Sequence, residues 1–109
     1  MASAGAPLRA TADRLFLSPV SVLELKFLIE VGRLQLAPGQ SLGGITTDPR
    51  WQLDSPGSGT LFNAALDVAW TRDPFDRLIV AHALCRRWRL ATGDRHIQAN
   101  LPASSVWVL

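Results

Sequence analysis

Carboxylates stand at the edges of the apolar runs in this chain. In "TRDPFDRLIVAHALCRRWRLATGDRHI", residues 71–97, Asp73 and Asp76 lie just ahead of one apolar run and Asp94 follows a second. Glu24 sits between Leu23 and Leu25, beside an apolar stripe where a charge is unwelcome unless it has a task. Two kinds of chemistry suit these groups. In the first, Asp73 and Asp76 cap and open a helix, Asp94 makes a turn after Gly93, and Glu24 reaches solvent. In the second, the four converge. Oxygen donors gathered within a few ångströms suit a hard cation such as Mg2+ or Mn2+, which nucleases use to activate water and to stabilise charge on phosphate. The carboxylates would repel one another, and a cation would relieve that strain.

Short elements must position these groups. "RLFLSP" predicts a short buried strand broken at Pro19, with Ser18 or Ser21 capping the helix that follows. That helix, "SVLELKFLIEVGRLQL", carries Val22, Leu25, Leu28 and Ile29 at three- and four-residue spacing, and Gly32 is its stop or kink. Residues 37–59 are rich in Gly, Pro, Ser and Thr and read as loop, with a short strand near "WQL". Thr60 is the expected cap of a helix over "TLFNAALDVAW". Asp73 followed by Pro74 opens another over "DPFDRLIVAHALCRRW". "RLATGD" predicts a strand ending in a turn, and "SSVWVL" a terminal strand. Strands alternating with helices define an α/β class with a mainly parallel sheet. Ligands of such sheets sit beyond the carboxyl ends of the strands, where Glu24 and Asp94 would lie. Asp76 reaches the same edge if its helix begins there.

The 109 residues fit one domain, 1–109, with the small and polar residues 1–13 expected to fray. A composition of 48% hydrophobic and 18% charged residues is that of a globular chain. A net charge of +2 and a pI near 9.5 are too mildly basic to argue for nucleic acid alone. Cys85 stands alone, which excludes an internal disulfide and any Cys/His metal site and suits a reduced, cytoplasmic compartment. No run reaches the roughly 18 apolar residues of a membrane span, and the opening residues lack a signal-peptide core. The expectation is a soluble protein.

"RDPFDRLIVAHAL" and "LATGDRHI" together resemble the C-terminal half of the PIN-domain ribonucleases, in particular the bacterial VapC-like toxin subgroup. "FLSPVSVLELKFLIEVGRLQL" is similar to that family's strand and glutamate-bearing helix, and "SSVWVL" suits its last strand. The likeness runs from about Leu15 to the end. It implies a PIN-like three-layer α/β/α fold and a metal-dependent endoribonuclease, the toxin of a toxin–antitoxin pair. Carried over by motif, Glu24, Asp76 and Asp94 are its catalytic and metal-holding acids. Asp73 is a further metal or capping carboxylate, and Thr92 supports the attacking water. The implied cofactor is Mg2+ or Mn2+. The implied partners are an RNA substrate, a cognate antitoxin protein and a second copy in a homodimer. The family's opening strand carries one more metal-binding aspartate. "MASAGAPLRATADRLF" shows no such strand, and Asp13 does not match it, so the first strand is expected to be missing. The alternative is therefore a catalytically impaired remnant that only binds an antitoxin.

Other residues leave both readings open. Arg72 and Arg77 suit RNA phosphate or ion pairs with Asp73 and Asp76. His82 reads as a satisfied buried side chain, His96 as a surface histidine with RNA contact as the alternative, and Cys85 as a buried apolar group. "RRWR", residues 86–89, reads as a solvated helix end on which Trp88 packs, with nucleic-acid contact as its alternative. Trp51, Trp70 and Trp107 read as packing residues.

Overall fold

The computed structural model describes residues 14–109. The expectations of a fraying start, of a missing opening strand and of an unmatched Asp13 fall on residues 1–13, outside the described part. The described part opens with strand β1 (Phe16–Leu17) and turns at once into helix α1 (Pro19–Glu30). Ser18 caps α1 through its hydroxyl, which accepts from the Val20 amide at 3.2 Å, and Pro19 occupies the first turn. Helix α1 ends six residues short of the span predicted from its apolar pattern. Gly32, with φ of 77°, takes the left-handed conformation that closes it.

The region read as loop contains helix α2 (Leu42–Thr46), capped by Ser41 on the Gly44 amide, and strand β2 (Gln52–Leu53). Helix α3 (Ser58–Leu66) follows. Its cap is Gly57, without a side-chain bond, and Thr60 lies inside the helix instead of capping it. Helix α4 (Pro74–Arg86) starts where its Asp-Pro pair predicts. It ends at Arg87, which adopts a left-handed φ of 57° so that the Trp88 amide bonds back to the Ala83 carbonyl at 3.0 Å. Strand β3 (Leu90–Thr92) leads to helix α5 (Arg95–Asn100), where a turn alone was expected. A single 3-10 turn over Ala103–Ser105 then opens strand β4 (Val106–Val108).

The strands pair in parallel. β1 runs beside β2, with Phe16 opposite Gln52, and β3 beside β4, with Leu90 opposite Val106. The fold is therefore α/β with parallel pairing, as the alternation of elements implies. Helix α4 is its axis. Ile79, Val80, Ala81 and Ala83 are buried and packed with Leu61, Ala65 and Val68 from α3 and its end and with Leu90 and Ile97, and His82 is buried on the same helix. Truncating one large side chain there would remove roughly 2–5 kcal/mol, a large part of what a domain this small retains. No helix among the described residues is long and apolar enough to cross a membrane.

Candidate metal centre

The start of α4 and the first half of α1 bring the acids together. Glu24, Asp73 and Asp76 each offer a carboxylate oxygen, and these oxygens lie within 4.8 Å of one another. Asp73 is the N-cap of α4. Its Oδ1 accepts from the amides of Phe75 at 2.8 Å and Asp76 at 3.4 Å, which fixes the carboxylate beside the helix start. Asp76 follows in the first turn, half-buried. Glu24 reaches across from α1, and a ring contact between Phe27 and Phe75, centroids 5.5 Å apart, braces the two helices at this end.

The crowding shows in the proton affinities. Burial, then the charges of Asp76, Asp73 and Asp94, push Glu24 up to about 7. Burial, then Asp73 and Asp94, push Asp76 up to about 6, with His96 acting in the opposite direction. Asp94 lies outside the group of three oxygens, yet its charge is felt by both Glu24 and Asp76. It is the N-cap of α5: its Oδ1 accepts from the amides of His96 at 2.8 Å and Ile97 at 3.2 Å, and its own amide donates to Thr92 Oγ1 at 3.0 Å. Thr92 is buried at the end of β3. Capping and clustering are thus not exclusive. Asp73 and Asp94 both cap helices, while Asp73 belongs to the cluster and the charge of Asp94 reaches it.

The remaining candidates sort plainly. Arg72 is exposed, and Arg77 Nε donates to the Thr71 carbonyl at 2.8 Å. Among the described residues neither forms an ion pair with Asp73 or Asp76, so the predicted pairing is not formed. His82 is buried, but only half satisfied. Its Nε2 bonds Asp54 at 2.7 Å while Nδ1 has no partner. Arg86 holds the same Asp54 at 2.9 and 3.1 Å, and Trp88 stacks on Phe16 with ring centroids 4.3 Å apart, as a packed helix end requires. Trp70 packs on the core and Trp51 donates to the Ile45 carbonyl, whereas Trp107 is 39% exposed. Cys85 is only partly buried. His96 is exposed, as expected, but its ring is held in place against Trp70. The sequence signal for that role was weak: a histidine two residues after Asp94.

Oxygen-only donors of this kind match a hard divalent cation and match poorly the softer metals that prefer thiolate or imidazole. A cation held by such donors can activate water for hydrolysis. The comparisons narrow this chemistry. The chain is 37% identical over 91 residues to Ribonuclease VapC22 of Mycobacterium tuberculosis (strain ATCC 25618 / H37Rv), an alignment covering 82% of this chain and 69% of that protein. The chain belongs to the VapC-like PIN-domain ribonuclease family. No family model and no solved structure matches it.

Proposed function

We propose that this chain is a divalent-metal-dependent endoribonuclease, the toxin half of a toxin–antitoxin pair. Its relationship to a ribonuclease supports the reading. The observation that carries it is the meeting of Glu24, Asp73 and Asp76 oxygens within 4.8 Å. Those three would hold the ion, Mg2+ or Mn2+, with Asp94 adding negative charge at the rim of the site. When bound, such an ion acidifies water and stabilises negative charge on phosphate oxygens. Arg72 and Arg77 flank the acids and give charge-assisted hydrogen bonds to RNA phosphate, which orient the strand without reading its sequence. Thr92 steadies Asp94 through its hydroxyl and so shapes the water-facing side of the site. The fold of this reading is a single PIN-like domain with three α/β/α layers and a mainly parallel sheet that lacks the family's first strand.

The antitoxin side rests on α1. Leu23 and Phe27, one turn apart on α1, are 61% and 43% exposed, and Val31 at its C-cap is 50% exposed, an apolar row that suits the apolar face of a partner helix. Purified protein should cleave RNA only with Mg2+ or Mn2+, and Glu24→Gln or Asp76→Asn should lower the rate at least about a hundredfold. Cleavage of equal speed in both variants and the native chain would reject the reading. Antitoxin capture without any cleavage under either ion would instead identify the binding-only form.

A further inference from the structure

Asp94 poses a geometric problem. It stands on a different element from Asp73 and Asp76, at the start of α5 and outside their group of oxygens, yet its charge reaches Glu24 and Asp76. The buried side chain of Ile97 anchors α5 to the core but does not fix how its first residue is turned. One side chain spans the two segments. His96 Nε2 lies 3.2 Å from the Trp70 carbonyl oxygen, and the two rings meet edge to face with centroids 5.3 Å apart. A carbonyl only accepts, so Nε2 carries the proton. Among the described residues this is the one hydrogen bond between residues 94–100 and residues 70–77.

Both ends of this link are themselves tied down. Trp70 packs on the core, and the next residue, Thr71, has its carbonyl held by Arg77 Nε at 2.8 Å and its hydroxyl by the Asp73 amide at 3.2 Å. At the other end the His96 amide donates to the Asp94 carboxylate at 2.8 Å. A displacement of His96 therefore displaces Asp94 directly. We propose that His96, clamped on Trp70, is a positioning residue that holds the Asp94 carboxylate at the rim of the site formed by Glu24, Asp73 and Asp76 and so strengthens that site's hold on a cation. The inference rests on the metal-dependent reading above. It concerns a side chain that contributes no oxygen to the ion.

The test is Mn2+ binding by calorimetry on the full chain, with no RNA present. His96→Ala should weaken Mn2+ about tenfold, the usual size of an effect exerted through a ligand's support. His96→Gln, whose amide nitrogen can replace Nε2–H, should restore most of the affinity. In an Asp94→Asn background His96→Ala should have no further effect, because the two act as one unit. Native affinity in His96→Ala, or an equal loss with and without Asp94, would overturn the clamp while leaving the site itself intact. Unchanged binding in Asp76→Asn would instead remove the site and the clamp with it. Nitrogen-15 spectra of the native imidazole give an independent check that needs no variant: the Nε2–H tautomer supports the clamp, and Nδ1–H overturns it.

Discussion

Glu24 and Asp76 carry opposing consequences for stability and for binding. In the metal-free protein their folded-state values, about 7 and about 6, exceed their ordinary values of 4.5 and 3.8. The native state therefore keeps protons that the unfolded chain releases. Their contribution is complete below the ordinary values and is lost as pH rises through 6 and 7. Between pH 5 and pH 8 the thermal midpoint of metal-free protein should fall relative to that of a Glu24→Gln, Asp76→Asn double variant, and Mn2+ should recover the difference in the native chain by mass action. Asp76→Asn removes one of the repelling charges. It should raise the metal-free midpoint at pH 8 by roughly 2–6 °C while abolishing the Mn2+-dependent gain. A midpoint lower than native would mean that the acids do not strain one another. Of these residues, the pair at the start of α4 was legible in the sequence because Asp-Pro is a local capping signal. Their approach to Glu24 was only a conditional reading from the sheet edge, strengthened by resemblance, because it depends on how two helices pack.

Among the elements, α4 has a second charged group at its far end that no local pattern announced. Asp54 meets His82 and Arg86 across 28 and 32 residues of sequence, and nothing in "WQLDSPGSG" distinguishes that aspartate from a loop residue. Burial lowers the proton affinity of His82, against the pull of Asp54. Asp54 is itself burdened by burial, but the hydrogen bonds from Arg86 and His82 outweigh this and lower it. Both shifts act in one direction. The unfolded histidine takes up a proton as pH falls past 6.5 while the buried one resists, and the unfolded aspartate does so towards 3.8 while the paired one resists. This group therefore favours folding at neutral pH and loses that contribution in acid. Asp54→Ala should cost about 1–3 kcal/mol at pH 7 in urea titrations, since it leaves buried His82 without its partner. Asp54→Asn, which keeps an acceptor, should cost less. An alanine variant as stable as native would show that β2 and α4 hold together without the contact. Helices α2 and α5 escaped the sequence reading for a related reason. Five or six residues are too few to display a period, and only their caps, Ser41 and Asp94, marked them.

At the scale of the whole molecule, protection should be uneven. The core is built on α4, whereas β1 and β2 pair over two residues each and β2 is exposed. Amide hydrogen exchange should be slowest at Ile79–Ala83 and faster by at least about a hundredfold at Gln52 and Leu53, following local opening instead of global unfolding. Uniform protection across both would contradict a structure organised about one helix. The class of fold could be read from the order of elements, since parallel pairing follows from alternation. The division into two strand pairs could not, because strands of two or three residues carry almost no pattern of their own. Arg87 points to a practical use. Its left-handed backbone closes α4 with a residue whose β-carbon resists that shape, while its neighbours already make the bond that ends the helix. Arg87→Gly should relax this join and stiffen the chain by up to about 1 kcal/mol, visible as a higher urea midpoint. Such a sturdier parent would keep weakened variants in solution long enough to be assayed.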